Sequence, residues 1–370
     1  MRLVNMGKIT NFEEGSRQSS CSFPGVCVFP GGRLAASFKG SPEKGPLAGQ
    51  HVYLCYSGDM GETWSAPAAP FPEGFEYNGR RGSFRALYLT HLGGERAIAL
   101  MNVVYEEGDL PFFNTETEGL LDTDIFFAHS EDCGRTFGAP VRLDPPFDQP
   151  VPLTGPARRL PDGRLVCQFE LNKRYYDPEP WVHSSAVTFS NDDGHSWGGA
   201  SIITKDPNIY YWDQRLAAMN DGRLLDFFWT FDRERAEYLN IFACDSVDGG
   251  KAWSPLWDTG LVGQPGDPAD IGDGRVAAIH IDRTSAPRIV VRLSADGGQT
   301  FLPEGLTIYD SGLRKQEYAK SGMNDAWEEM GAFSVGHPNL VKLPSGDLYA
   351  FFYAGPRTDR TDIHWARIAV

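Results

Sequence analysis

Arginine recurs in the segments that lead into or follow many apolar runs of this chain. Converging guanidinium groups bind a carboxylate or sulfate through paired hydrogen bonds, and aromatic rings among them can stack on a sugar face. Taken singly, each arginine is better explained as half of a solvated surface ion pair, but their recurrence indicates an anionic oligosaccharide partner. The residues expected to bind that sugar are Arg85, Arg174, Arg215, Arg233, Arg283, Arg288, Arg357 and Trp212.

Two residues expected near these arginines could transfer protons, His337 and Asp213. A carboxylate beside an imidazole orients the ring and raises its pKa, so the pair can act as a general acid or base. The alternative is that His337, which a proline follows, only caps a strand by hydrogen bonding. We therefore expect catalysis from His337 and Asp213, with this structural role as the competing interpretation.

Further groups are needed to complete either of two reactions. A glycosidase uses a second carboxylate, which is expected from Glu170, Glu106 or Glu43. A lyase would instead use His337 or Tyr175 to remove the proton beside a uronate carboxylate that arginine has neutralised. The expected catalytic set therefore adds Glu170 and Tyr175 to the two residues above.

The elements that position these groups follow from a short phrase, Ser-x-Asp-x-Gly-x-(Thr/Ser/Ala)-(Trp/Phe). The Asp carboxylate accepts hydrogen bonds from nearby backbone N–H groups, the Gly permits a positive φ, and the aromatic ring packs beneath the turn. Each copy therefore predicts a hairpin turn rather than a catalytic or calcium-binding aspartate, and the repetition predicts a fold built from similar units. The copies lie at 57–64, 130–137, 190–197, 246–253 and 294–301.

A second repeat lies upstream of the phrases and consists of two apolar runs joined by a glycine turn, as in 160–165. Six such hairpins predict an all-β, six-bladed β-propeller of four-stranded antiparallel blades, a single domain over residues 1–370. The last blade lacks a fourth strand, so segment 2–9 is expected to pair there and close the ring. The blades are expected to begin near residues 22, 84, 154, 213, 265 and 337.

The two faces of such a fold carry different loops. The hairpin turns and the five phrases lie on one face, whereas the loops between second and third strands lie on the other, where function is expected. One of these loops, from residue 105 to 124, is about twenty residues long and carries two phenylalanines. Its length predicts a lid over the site, with a solvated acidic flap as the alternative.

Composition excludes several functions. The chain has 49 Asp and Glu against 34 Lys and Arg, a formal charge of −15, which argues against a nucleic-acid partner. No apolar run of roughly eighteen residues and no leader is found, so we expect no membrane segment and a cytoplasmic location. No long stretch has helical periodicity. The six cysteines lack metal-ligand spacing and are expected to be reduced and buried, and we expect no cofactor and no metal ion.

The five phrases resemble the Asp boxes of the sialidase superfamily, and with the six hairpins they make the whole chain similar to a sialidase-like propeller. The resemblance implies a retaining glycoside hydrolase with three substrate-binding arginines, a tyrosine nucleophile supported by a glutamate, and an aspartate acid/base. Arg233 and Arg288 lie near two of the arginine positions. Glu43 or Lys44 lies near the acid/base position.

Three positions depart from the superfamily pattern. Ser22-Phe23-Pro24 stands where the first arginine is expected, Asp213 where the glutamate is expected, and His337 where the tyrosine is expected. Ordinary sialidase activity on sialic acid is therefore not expected. The first hypothesis is a cofactor-free glycoside hydrolase acting beside an anionic sugar; the alternatives are a polysaccharide lyase on a uronate-containing glycan and a carbohydrate- or protein-binding propeller without catalysis.

Overall fold

The structure is a computed structural model that describes residues 1–45, 47–144, 146–313 and 320–370. Within them the chain is all-β apart from one ten-residue helix and a short 3-10 turn. The first strands in chain order are β1 (Arg2–Lys8), β2 (Ser20–Val28), β3 (Leu34–Ser41), β4 (His51–Ser57), β5 (Glu76–Tyr77), β6 (Arg80–Gly93), β7 (Arg96–Tyr105), β8 (Thr123–Ser130) and β9 (Val141–Arg142).

The middle and the end of the chain continue in the same manner. The middle strands are β10 (Arg158–Arg159), β11 (Leu165–Leu171), β12 (His183–Ser190), β13 (Gly198–Asp206), β14 (Ile209–Ala218), β15 (Leu224–Asp232), β16 (Glu237–Tyr238), β17 (Phe242–Ser246) and β18 (Trp257–Asp258). The last elements are β19 (Gln264–Pro265), β20 (Ala269–Gly272), β21 (Arg275–Asp282), β22 (Arg288–Ser294), β23 (Gly305–Asp310), α1 (Met323–Ala332), β24 (Val335–Lys342), β25 (Leu348–Arg357) and β26 (Arg360–Ala369).

Antiparallel hairpins between sequence neighbours build almost every sheet. Four sheets have four or five strands each, and run from β5 to β9, β10 to β13, β14 to β18 and β19 to β23. The remaining sheet joins β2-β3-β4 to β24-β25-β26 through a single parallel bridge between Ser20 and Thr361. The fourth strand expected after β4 is reduced to one bridge, between Leu54 and Ala68.

The N-terminal strand pairs with the C-terminal one. β1 lies antiparallel to β26, with Arg2 opposite Ala369 and Lys8 opposite His364. This is the pairing expected for segment 2–9, and it covers the outer edge of the β24-β25-β26 unit. An exposed strand edge can template pairing with other chains, so this arrangement protects both ends of the chain.

Apolar clusters lie between successive hairpin units rather than in one central mass. Phe84 and Leu87 of β6, for example, pack with Val52 and Leu54 of β4. Side chains also bond to the backbone of the next unit along the chain, and the last unit bonds to the first. These donors and acceptors are Ser37 and Leu87, Thr90 and Ala157, Ser185 and Tyr211, Arg223 and Gly297, Arg283 and Val335, and Asn339 and Pro24.

All five repeated phrases form the predicted turn. In the first, Ser57 Oγ donates to Asp59 Oδ1 at 2.7 Å, and the Thr63 N–H and hydroxyl donate to the same carboxylate at 2.9 and 2.5 Å. Gly61 has φ of 90°. These hydrogen bonds lower the pKa of Asp59 to about 2. The carboxylate is thus engaged in holding its turn, as the sequence predicts.

Helix α1 was not predicted, because no long stretch has helical periodicity. It is short, but Met323, Ala326, Trp327 and Met330 have the three- and four-residue spacing of one apolar face, a signal that could have revealed it. All six cysteines are buried and free, as expected. In the part of the chain that the structure describes, no helix has the length and apolar character to cross a bilayer.

The fourth phrase lacks one hydrogen bond that the others have. Thr136 Oγ1 donates to Asp132 Oδ2 at 2.6 Å, whereas Ala252 can offer Asp248 only its backbone N–H. We expect Thr136→Ala to lower the free energy of unfolding by about 1 kcal/mol and Ala252→Thr to raise it. Urea unfolding of both variants measures this. Equal stabilities in all three proteins would contradict the role assigned to the hydroxyl.

Candidate functional site

Four strands are interrupted by a β-bulge near their starts, at corresponding places in their hairpins. A bulge re-aims the side chains that it carries, and bulges are over-represented beside active sites. The shifts in pairing register lie at residues 22–25 of β2, 84–86 of β6, 212–215 of β14 and 336–339 of β24.

Three of these bulges contain a non-glycine residue in the left-handed region. Phe23 has φ of 51°, Asp213 46° and His337 45°. Each such conformation costs about 1–3 kcal/mol and persists only where the surroundings enforce it, commonly at functional sites. The strained residues include both members of the predicted proton-transfer pair.

The side chains around these bulges form one continuous set of contacts, which we name the Asp213 cluster. Its members come from strands and loops of four of the five sheets. They are Phe23, Lys39, Lys44, Arg85, Asp213, Arg215, Gln264, Arg283, His337 and Tyr353. Of the predicted site residues, the structure therefore brings together Asp213, His337, Arg85, Arg215 and Arg283.

Asp213 is held from two sides. Its backbone N–H donates to Glu170 Oε1 at 2.7 Å, and its Oδ2 accepts from Gln264 Nε2 at 2.5 Å. Arg215 lies 3.8 Å from the other carboxylate oxygen. Burial opposes ionisation, whereas the positive charges of Arg215 and Arg283 and the Gln264 hydrogen bond favour it, and the pKa of Asp213 lies below its ordinary value. The side chain is 25% exposed, so a ligand can reach this carboxylate.

His337 differs from its predicted role. Its Nδ1 lies 2.9 Å from Arg215 Nη2. A guanidinium can only donate, so Nδ1 accepts this bond and the ring proton lies on Nε2. Burial lowers the pKa of His337 to about 3; Asp213 opposes this shift only in part, and Arg215 adds to it. The expected rise in pKa beside a carboxylate was wrong, because burial outweighs the effect of Asp213 and because arginine rather than aspartate bonds to the ring nitrogen.

Positive charge in the cluster is not matched by acidic side chains. Among the described residues, no carboxylate lies within 4 Å of a charged nitrogen of Lys39, Lys44, Arg85 or Arg283. Arg85 lies over two aromatic rings, 5.2 Å from the centre of Phe23 and 4.3 Å from that of Phe112. Burial lowers its pKa to about 10.

Arg283 and Lys39 are the most confined of these cations. The Arg283 guanidinium lies 3.9 Å from the centre of Phe333 and donates to Gln264 Oε1 at 3.2 Å, while its Nε and Nη1 have no partner among the described residues. Burial lowers its pKa. Lys39 is fully buried, and its Nζ donates to the Lys44 carbonyl at 2.9 Å. Burial places the pKa of Lys39 well below its ordinary value.

Two of the three residues proposed as a second carboxylate, Glu170 and Glu106, are otherwise engaged. Glu170 accepts the Asp213 N–H with one oxygen, and its other oxygen lies 3.5 Å from His183 Nε2. It is nine-tenths buried and therefore supports the strained Asp213 backbone from behind. Glu106 pairs with the exposed Arg81 at 3.1 Å.

The other predicted site residues lie elsewhere. Tyr175 packs against Tyr176, and its carbonyl accepts bonds from the 105–124 loop. Trp212 is buried and stacks on Phe231, 5.1 Å between ring centres. The remaining arginines form ion pairs outside the cluster, namely Arg174 with Asp148 at 2.7 Å, Arg233 with Glu118 at 3.0 Å, Arg288 with Asp282 at 2.6 Å and Arg357 with Glu14 at 2.6 Å.

The 105–124 loop and α1 pack together beside the cluster. Phe113 stacks on Trp327 of α1, with 4.5 Å between ring centres, and the adjacent Phe112 lies on Arg85. Both phenylalanines are buried. The loop predicted as a lid is therefore a packed apolar cover over one side of the cationic cluster. Neither Phe23, which follows the position of an expected arginine, nor Trp327 was identified from the sequence as part of a site.

A cavity of about 480 Å³ adjoins the cluster but does not contain Asp213 or His337. Arg283 and Phe333 form the shared wall, and Ser285, Ser334 and Arg357 lie among the other lining residues. The strained residues and the ionised carboxylate lie in the cluster and not in this cavity. Among the described residues, no three His, Cys, Asp or Glu side chains are grouped to hold a metal ion.

The arrangement around His337 predicts a ring that does not titrate at physiological pH. We expect its Nε2–H tautomer throughout about pH 5 to 8, assigned in nitrogen-15 NMR spectra by comparison with His337→Asn. Unfolded chains protonate this ring near 6.5 and the folded chain only near 3, so its contribution to stability is lost as the pH falls through that range. A midpoint between 6 and 7, roughly the ordinary value, would contradict the Arg215 contact.

Known structures resemble this chain in fold. No protein-family model and no curated protein matches it. A protein of unknown function from Dyadobacter fermentans DSM 18053 is 17% identical, with a TM-score of 0.76 over 100% of this chain and 99% of that chain. The NanB sialidase from Streptococcus pneumoniae is 13% identical, with a TM-score of 0.65 over 100% and 71%. The α-L-arabinanase from Penicillium chrysogenum is 14% identical, with a TM-score of 0.65 over 100% and 98%. The chain therefore has the propeller-like fold of these glycosidases.

Proposed function

We propose that the chain is a single six-bladed β-propeller, closed by β1 in the last blade, and a sialidase-like glycoside hydrolase that cleaves a glycan containing a carboxylated sugar. Sheet order, the β1–β26 pairing and the contact of the last unit with the first support the architecture. Sialidase and arabinanase structures with the same fold support the class of reaction.

The observation that carries the anionic substrate is the excess of positive charge in the Asp213 cluster. Arg85, Arg215 and Arg283 are largely removed from water, and Asp213 is the one carboxylate among the ten members of the cluster. Buried charge is costly unless it is paired, so these guanidinium groups favour a ligand that brings a negative charge. The unpartnered Nε and Nη1 of Arg283 and the aromatic-flanked Arg85 are suited to a planar carboxylate.

The cluster supplies the other groups that hydrolysis requires. Asp213 is ionised and partly exposed, so it can accept a proton from an attacking water or stabilise positive charge on the sugar ring. His337 offers its Nε2–H as a hydrogen-bond donor to a sugar oxygen, while Arg215 fixes its orientation. Phe23 presents an aromatic surface between His337 and Arg85, and the loop and α1 limit access of water.

A lyase acting on a uronate-containing glycan is a second candidate. Glu170 is committed to the Asp213 backbone, so it does not supply the second free carboxylate of the common hydrolytic mechanism. Elimination needs neutralisation of the uronate carboxylate and one base instead, which a cationic cluster can provide. Formation of an unsaturated product that absorbs ultraviolet light would identify this reaction.

Arg85 gives the test of the anionic substrate. We expect Arg85→Met to weaken binding of an acidic oligosaccharide about tenfold to hundredfold, the loss of one or two charge-assisted hydrogen bonds. Calorimetry with sialylated, glucuronylated and galacturonylated oligosaccharides measures this, with a neutral oligosaccharide of equal length as the reference ligand. Arg174→Met, which removes an exposed arginine paired with Asp148, is the matched control and should bind as the parent does.

Two results would count against the proposal. Equal affinities of the parent and the Arg85→Met protein for every acidic oligosaccharide would remove the role of the cluster in binding. Binding without release of either new reducing ends or an unsaturated product would favour the third hypothesis, a carbohydrate-binding propeller without catalysis.

A further inference from the structure

Lys44 is the group of the Asp213 cluster whose proton is best placed for transfer. It follows β3, and its Nζ donates to the carbonyl oxygens of Met330 at 2.7 Å and Phe333 at 2.6 Å, at the C-terminal end of α1. An ammonium nitrogen has three N–H bonds in tetrahedral directions. With two directed at the helix end, the third N–H, or the lone pair of the neutral amine, is left for another partner.

The aromatic rings nearest to Nζ belong to residues that contact other members of the cluster. Nζ lies 5.5 Å from the centre of the Tyr353 ring and 5.9 Å from that of Phe333. Tyr353 in turn contacts His337, and Phe333 contacts Arg283. Lys44 is partly exposed. Lys39, by contrast, is fully buried, and its Nζ donates to the Lys44 carbonyl.

Some of the groups around Lys44 lower its pKa, and others raise it. Burial lowers the pKa of Lys44 to about 7, repulsion by Arg283 and Arg85 adds to this shift, and Asp213 opposes it. On the α1 side the contacts are carbonyl oxygens, whose dipoles favour the ammonium form. The buried acid of that helix, Glu329, is paired with Lys320 at 3.1 Å. The amine is thus divided between its two forms near neutral pH.

The other members of the cluster are unsuited to protonating a leaving group. Asp213 is ionised, and its lowered pKa leaves it without a proton to donate near neutral pH. Arginine does not release a proton in proteins. Neutral His337 is a weak acid, and burial raises the pKa of Tyr353 far above its ordinary value.

We propose that Lys44 is the general acid of this site. The inference rests on the proposed hydrolysis. The Lys44 ammonium gives a proton to the glycosidic oxygen as the bond between that oxygen and the anomeric carbon breaks, and a water attacks the carbon and loses a proton to Asp213. The products are two hydroxyl compounds, and exchange with solvent returns a proton to Nζ and removes one from Asp213.

The decisive experiment varies the leaving group. A general acid is needed for a poor leaving group such as a sugar hydroxyl and hardly at all for dinitrophenolate, which departs unaided. We expect Lys44→Met to lower kcat on the glycan that the parent cleaves by about a hundredfold or more, and to change kcat on the dinitrophenyl glycoside of the same acidic sugar less than about threefold. Lys44→Arg, which keeps the charge but cannot transfer the proton, should behave as Lys44→Met. Lys205→Arg, a change at an exposed lysine of β13, is the matched control.

A second measurement does not depend on activity. In protein labelled with carbon-13 at lysine Cε, the signal that Lys44→Arg removes should titrate near pH 7. Titration of Lys44 above about pH 9 would overturn the proposal. Equal loss of kcat on both substrates would also overturn it, because that is the result of structural damage. A parent protein that cleaves none of the acidic glycans overturns the proposed function as well, whereas cleavage unaffected by Lys44→Met overturns only the assignment to Lys44.

Discussion

One buried guanidinium, that of Arg215, joins three parts of the fold at the candidate site. Its Nη1 donates to the carbonyl of Thr154, which lies before β10, and its Nη2 donates to His337 of β24. Asp213, on the same strand, lies 3.8 Å away. A charge that is 98% excluded from water must be surrounded by acceptors, so these contacts constrain how the three segments approach one another. The same constraint sets the tautomer of His337 and favours ionisation of Asp213.

The scaffold and the site use backbone conformation differently. In the repeated turns, left-handed φ occurs at the glycine, as at Gly61, and in three turns also at the residue before it (Met60, Cys133 and Asp193), and hydrogen bonds to the aspartate hold the turn. In the bulges, Phe23, Asp213 and His337 take the same region of φ without a glycine's freedom. Such strain is tolerable only because many ordinary hydrogen bonds and the apolar clusters between units hold the strands around it. The bulges therefore orient side chains at a cost in stability that the regular parts of each hairpin offset.

Patterns that act locally were predictable from the sequence, and contacts between distant segments were not. The turn phrases and the pairing of β1 follow from residues near one another or from a strand count. The recurrence of arginine identified Arg85, Arg215 and Arg283, but it also identified arginines that form ion pairs outside the cluster. Whether an arginine is free to bind a ligand depends on its ion-pair partner, and partners such as Asp148 of Arg174 or Glu14 of Arg357 cannot be found from the order of residues.

Substitutions relative to a family pattern were also informative only in part. The pattern marked an arginine as missing from Ser22-Phe23-Pro24, but it could not show that the ring of Phe23 lies between His337 and Arg85. The family pattern also could not show that Arg215, rather than the Asp213 carboxylate, would hydrogen-bond to the ring nitrogen of His337. This contact depends on how β14 and β24 approach each other.

The chemistry of the cluster follows from its unequal charges. Aspartate and glutamate pairs divide acid and base roles when their environments push their pKa values apart, and the one exposed carboxylate here has a cationic environment that keeps it ionised. A site of this composition can still hold both roles if the acid is a cation instead. Neighbouring arginines lower the pKa of Lys44 and that of Asp213 for the same reason, because each shift reduces positive charge or adds negative charge in a crowded cationic space; desolvation, by contrast, lowers the pKa of Lys44 and raises that of Asp213. A carboxylated ligand on Arg85 and Arg283 would reverse part of this balance and raise both pKa values, so substrate binding itself would favour the protonated form of Lys44.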